Sequence, residues 1–282
     1  MTEPLDPAPA RPLAPIFLAP TAVDGWRWLK TGFQLFWLKP WALSSIAILL
    51  IMTPMLLGLI PVVGGALALV AVPGLTAGAM YAAFSVSQGV HPLPHSIFAP
   101  FFWGPGQQNL PRLRATLLLG VLYALALSLS YYLLRSLAGD SWQVLEQIAA
   151  LSQNQAKLDS AEIERLAQSA PQLAGVLLAM APIFALLFLL FTRANMLSFC
   201  FAINPGKALF FALHSIWRSV AALLVFGLLC FGASALVANL MLLHPFAYAL
   251  GLIAASSIFI CSLWAMFGSS FPPPTAVKRP AP

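Results

Sequence analysis

From Trp41 to Ile60 (WALSSIAILLIMTPMLLGLI) the chain carries no charge, and after the turn Pro61-Val62-Val63-Gly64-Gly65 the run from Ala66 to Val86 is again uncharged. A bilayer hydrocarbon core of about 30 Å needs about 20 apolar helical residues to cross it. Each run is long enough, so the pair predicts a transmembrane hairpin. A buried helix pair in a soluble protein is the competing explanation, but uncharged runs this long are rare outside membranes.

Apolar residues make up 60% of the 282 positions and charged ones 8%, with a mean hydropathy of +0.88. Soluble domains carry about 25% charged residues. The surface of a soluble fold could not be covered here, which leaves a polytopic α-helical membrane protein. Transmembrane β-strands would alternate apolar and polar residues over about ten positions, and these runs do not alternate. The net charge of +6 does not point to nucleic acid. The basic residues stand singly beside apolar runs, as topology determinants do. Cys200, Cys230 and Cys261 are odd in number and widely spaced, which argues against a disulfide framework or zinc site. The N-terminus has no basic stretch followed by a short apolar core, so no cleavable signal is expected. No lipidation motif is seen at either end.

Residues 1–23 are Pro-rich and read as a disordered tail. Asp24 is placed to cap a helix beginning GWRWLKTGFQLFWL. Trp26, Leu29, Phe33 and Trp37 recur on one face of it, with Arg27, Lys30 and Gln34 on another, the pattern of an interfacial amphipathic helix. Lys39-Pro40-Trp41 turns the chain into the bilayer. The membrane domain is expected over 24–268, with spans at about 41–60, 66–86, 115–134, 172–192, 220–242 and 246–267. Pro54, Pro73 and Pro182 should bend their helices. Gly74, Gly78 and Ala82 fall four apart, a small-residue stripe for close helix approach, within the chain or between copies. Residues 87–113 read as a Pro/Gly-rich loop along the interface. His91 and His95 in it are separated by Pro92 and Pro94, which exclude the regular helix that would pair them on a metal.

The segment 136–170 reads as a soluble loop of two short helices, each with a capping box, at Asp140–Gln143 and Asp159–Glu162. Its acidic residues Asp140, Glu146, Asp159, Glu162 and Glu164 are expected on solvated faces. Pro171 is expected to start the fourth span, with Arg193 and Asn195 at its far end. Ala208 to Trp217 resembles the entry helix of the first span, and 269–282 forms a second disordered tail. Six spans put Arg11, Arg27, Lys30, Lys39, Arg112, Arg114, Arg193, Lys207, Arg218, Lys278 and Arg279 on one side, against Arg135, Lys157 and Arg165 on the other. The positive-inside bias then predicts both termini in the cytoplasm and the 136–170 loop outside. The fold expected is an all-α bundle of six transmembrane helices in three hairpins with interfacial entry helices. The first and third hairpins share the amphipathic entry and the second matches it loosely, so an internal repeat stays open.

No ionisable residue is expected well inside a span, whereas pumps, proton-coupled carriers and intramembrane proteases depend on such residues. Asn239, Thr53, Thr76, Ser128, Ser130, Ser234, Ser256 and Ser257 are mild polar groups that can bond their own helix. No GxSxG, P-loop, HExxH or CxxC motif is present. No catalytic, cofactor-binding or metal residue is assigned, no cofactor is implied, and an enzyme is not expected. Two functions stay open. One is a non-catalytic membrane protein that packs against or helps assemble another membrane component. The other is a transporter or flippase for a neutral or amphipathic small molecule, which the interrupted helices would suit. The expected partners are the lipid bilayer and a second membrane protein of unknown identity, not nucleic acid.

The opening GWRWLKTGFQLFWLKPW, the run IPVVGGALALVAVPGLTAGAM and the Arg-rich entry to the third span together resemble a group of six-helix proteobacterial inner-membrane proteins. The resemblance covers about residues 24–268. It implies a bacterial inner membrane and a six-span bundle, and brings no activity, substrate or site residues with it.

Overall fold

The computed structural model describes residues 15–102, 109–138, 142 and 160–272. Among them the regular structure is entirely helical. The helices are α1 (Ala22–Leu38), α2 (Pro40–Gly58), α3 (Gly64–Ser87), α4 (Ala99–Phe102), α5 (Asn109–Ala138), α6 (Ser160–Phe201), α7 (Pro205–Arg218), α8 (Val220–Leu243) and α9 (Pro245–Ser270), with a 3-10 turn at Pro94–Phe98. Six stretches are long and apolar enough to cross a membrane: Pro40–Gly58, Gly64–Ser87, Leu113–Leu137, Met180–Phe201, Val220–Leu242 and Pro245–Ser270. They form three hairpins, α2–α3, α5–α6 and α8–α9. The amphipathic α1 and α7 lead into the first and third across single residues, Lys39 and Ser219.

Several boundaries differ from the sequence reading. Helix α6 is continuous from Ser160 through Pro171 and Pro182 to Phe201, so Pro171 starts no span. The fourth apolar window lies nearer the C-terminal end than 172–192. The first expected loop helix, at Asp140–Gln143, lies outside the described residues except for Trp142. Residues 15–21, expected in the tail, are held: the Leu18 N–H donates to the Ser270 carbonyl at 2.9 Å. The Phe17 ring packs against Phe271 and His214, both at 5.6 Å. Phe271 is itself buried. The remaining tail residues, 1–14 and 273–282, lie outside the described residues.

Helix α1 begins at Ala22, and Asp24 is not its cap. The cap is Thr21, whose backbone N–H and hydroxyl both donate to Asp24 Oδ2, at 2.7 and 2.8 Å. Arg27 Nη1 donates to Oδ1 at 3.0 Å. The Thr21 N–H bond, aided by the Thr21 hydroxyl and Arg27, holds the Asp24 carboxyl below its ordinary 3.8. A lowered carboxylate pKa adds stability that is complete above the ordinary value and is lost as pH falls through the lowered one. The first turn of α1 is therefore expected to fray below about pH 4, read as faster amide exchange at residues 22–26. Asp24→Asn should exchange fast already at pH 7.

The chain divides into two compact units, residues 1–121 with 190–282, and residues 122–189. In the second, the Tyr131 ring meets the buried Trp142 edge-on at 5.0 Å. In the first unit α1 is three-faced rather than two-faced. Trp26, Phe33 and Trp37 are exposed, but Gly25, Trp28, Gly32, Leu35 and Phe36 form a buried stripe that packs on α8 and α9. Trp28 Nε1 donates to Ser269 Oγ at 2.8 Å, and its ring meets Phe226 edge-on at 6.0 Å. Gly25 and Gly32 let the helix backbones meet: a Cβ at Gly25 would strike the Ala222 carbonyl, and one at Gly32 would strike Ser262.

Each hairpin has an inner and an outer helix. The share of each span that is buried is 56%, 50% and 44% in α3, α6 and α9, against 17%, 17% and 11% in α2, α5 and α8. The burial concentrates towards the C-terminal ends of the inner helices. Ala79, Ala82 and Ile260 cluster there with Ile46 and Ala47 from α2, and Tyr81 packs on Phe199 and Phe84 on Trp264. The segment 94–102, expected along the interface, is wedged into this core. Ile97 and Ala99 are buried, and the 3-10 turn packs on both α2 and α3. The small-residue stripe is filled within the chain: Gly74 faces Phe101 and Thr116, Gly78 faces the Ile97 backbone, and Ala82 sits in the core cluster.

Each entry segment thus docks on a helix of another hairpin. The 94–102 segment packs on the first hairpin and α1 on the third, while α7 meets α6 of the second through Ser215 and Arg193.

Candidate functional site

Arg193 is the largest fully buried side chain among the described residues. Hydropathy places it at the end of the fourth span, because a cation at depth is expensive. The helix instead runs eight residues past it, to Phe201, which is about 12 Å at 1.5 Å per residue. Thr192 and Asn195 beside it are buried too. The expectation that no span holds an ionisable residue at depth is therefore corrected at this position. The signal that could have found it was the apolar run MLSFCFAI that continues beyond Asn195.

Among the described residues one hydrogen bond holds the guanidinium: Nη1 donates to Ser215 Oγ of α7 at 2.9 Å. The Ser215 hydroxyl donates in turn to the Ala212 carbonyl at 2.7 Å, and Ser219 donates to the Ser215 carbonyl at 2.6 Å. Arg193 Nε and Nη2 meet no acceptor among the described residues, nor do Thr192 Oγ1 and Asn195 Oδ1 have a partner there. Asn195 Nδ2 donates to the Phe191 carbonyl at 3.0 Å. Nε and Nη2 are the pair that offers a side-on fork to a carboxylate or phosphate. A buried guanidinium with one neutral partner is costly, and a cation inside a span is a mark of function.

The docking of the other entry segments gives Arg193 a structural context. Gly78 in α3 and Ser262 in α9 also lie about eight residues before the ends of their helices. There a small residue admits the backbone of the entry segment, Ile97 at Gly78 and Gly32 at Ser262. The middle hairpin places a long cation at the matching position and meets the α7 serine with it.

The remaining residues singled out from sequence do not gather around this point. Thr76 and Ser257 donate to carbonyls four residues back in their own helices, and exposed Asn239 does the same. His91 Nδ1 lies 3.1 Å from the Pro92 carbonyl oxygen. Cys261 is buried, while Cys200 and Cys230 are half-buried. Among the described residues no three His, Cys, Asp or Glu side chains are grouped to hold a metal ion.

No family model matches the chain, and no solved structure matches it. A protein of Burkholderia thailandensis described as a probable inner membrane protein is 30% identical over 261 residues, covering 89% of this chain and 92% of its own length. The chain, with six helices long and apolar enough to cross a membrane, belongs to the family of this probable inner membrane protein.

Proposed function

We propose that the chain is a non-catalytic integral inner-membrane protein that packs against, or helps assemble, another membrane component, with both termini in the cytoplasm. The observation that carries the reading is the close packing of α2 and α3 against α9. Ala47, Ala79 and Ala82 meet Ile46 and Ile260 with essentially no exposure, so this contact between the helices leaves no room for a solute. Outside, α8 is the most apolar span and the least buried. Its Leu224, Leu228 and Phe231 form an exposed ridge spaced four and three, suited to lipid or to a partner helix.

The test is purification from native membranes after mild cross-linking. A stoichiometric co-eluting membrane protein is expected. Monodisperse protein alone, together with solute uptake after reconstitution in liposomes, would reverse the assignment. For orientation, impermeant thiol labelling of intact spheroplasts is expected to reach Ser152→Cys and to miss Ala276→Cys in a background without native cysteines. Labelling of the second alone would invert the topology.

The alternative, a transporter or flippase for a neutral or amphipathic small molecule, draws on one observation, the buried Arg193 whose Nε and Nη2 meet no acceptor among the described residues. An acidic head group would suit that fork best.

A further inference from the structure

A groove of about 880 Å³ runs between α1, α8 and α9, within the roughly 300–1,000 Å³ typical of small-molecule sites. It exists because small residues stand where α8 and α9 face outward: Ala233 and Ser234 on one, Gly251, Ala254 and Ala255 on the other. Larger side chains flank this floor, among them Leu236, Leu252 and Phe259. Helix α1 closes one end with Trp26, Leu29, Lys30 and Phe33. Lys30 is the one charged residue of the lining among the described residues. It is exposed, and the one salt bridge among the described residues belongs to Arg27. An apolar channel within a spanning hairpin, ending at a lysine and a tryptophan, has the polarity of a single amphiphile with an anionic head.

We propose that this groove holds one anionic phospholipid of the bilayer, its phosphate on Lys30 and an acyl chain along the floor towards Gly251. The lysine supplies a point charge for a phosphodiester, and its apolar stem follows the groove wall. Trp26 sits at the same end, as aromatic residues do at the head-group level. The bound lipid would fill the crevice that α1 leaves where it crosses the hairpin. The proposal needs only the membrane placement and does not depend on the assembly reading.

The test uses the full chain in nanodiscs of equal phosphatidylglycerol and phosphatidylethanolamine, released for native mass spectrometry. The wild type is expected to keep one phospholipid, phosphatidylglycerol over phosphatidylethanolamine by about tenfold. Lys30→Glu should abolish that preference, while Lys30→Arg keeps it. Ala254→Phe, at a half-buried groove position, should lose the lipid while keeping wild-type helicity and elution volume. A wild type that retains no lipid overturns the proposal, as does a Lys30→Glu variant with unchanged selectivity. So does a Ser234→Cys variant that forms a disulfide dimer in the membrane, because the groove would then be an interface between copies.

Discussion

Gly78→Val is expected to leave little folded protein, with a loss of at least about 3 kcal/mol in the share that folds. Overpacking a tight core costs about 1–3 kcal/mol when side chains can shift. Here the new atoms would meet the carbonyl oxygen, carbonyl carbon and Cα of Ile97. That backbone is itself pressed between α2 and α3, so it has nowhere to move. Gly32→Val should behave alike against Ser262 and the Ile258 carbonyl. Gly232→Ala in α8 is the control: no atom lies within 4 Å of the added carbon. Removing a helical glycine should be neutral or stabilise by up to about 1 kcal/mol. Thermal unfolding in detergent, followed by circular dichroism, separates the cases, and an unchanged Tm for Gly78→Val would refute the docking of the 94–102 segment.

The second large effect concerns Arg193 and runs against intuition. Ser215→Ala, which deletes one hydroxyl, should cost about 1.5–3 kcal/mol, because it strips a buried charge of its partner. Arg193→Met, which deletes the whole cation, should be neutral or stabilising, since a buried ion replaced by an apolar side chain of similar volume is often no loss. Ser215 would then keep its bond to the Ala212 carbonyl. The double variant should lie close to Arg193→Met, so the two changes are strongly non-additive. Loss of the native co-purifying partner in Arg193→Met, at unchanged Tm, would assign the arginine to function. If Arg193→Met falls as far in Tm as Ser215→Ala, the guanidinium is a stabilising tie to α7 and the desolvation argument fails.

How much was legible differs from element to element. The spans of α2, α3, α8 and α9 could be read within a few residues, because length and lack of charge are properties of a single stretch. The amphipathic α1 was legible as a helix, yet its buried stripe was not. Gly25 and Gly32 carry no hydrophobic signal, and Trp28 looks like any other interfacial tryptophan. The stripe Gly74, Gly78 and Ala82 was visible as a spacing, but its occupants, Ile97 and Phe101, come from a segment about 20 residues away that reads as a loop. Arg193 was misplaced for a sound reason: a cation ends a hydropathy window, and nothing local announces the serine of α7 that receives it.

By itself the sequence determined that the chain must be helical and must live in lipid. Six uncharged stretches cannot be covered by so few polar residues, and in hydrocarbon the backbone satisfies itself only in helices or closed barrels. The tertiary structure alone decided which helix of each hairpin goes inside, how each entry segment docks, and that one arginine is enclosed. Those outcomes depend on close contacts between residues far apart in the chain, and when apolar side chains surround a helix on all sides no stripe tells which face will be buried.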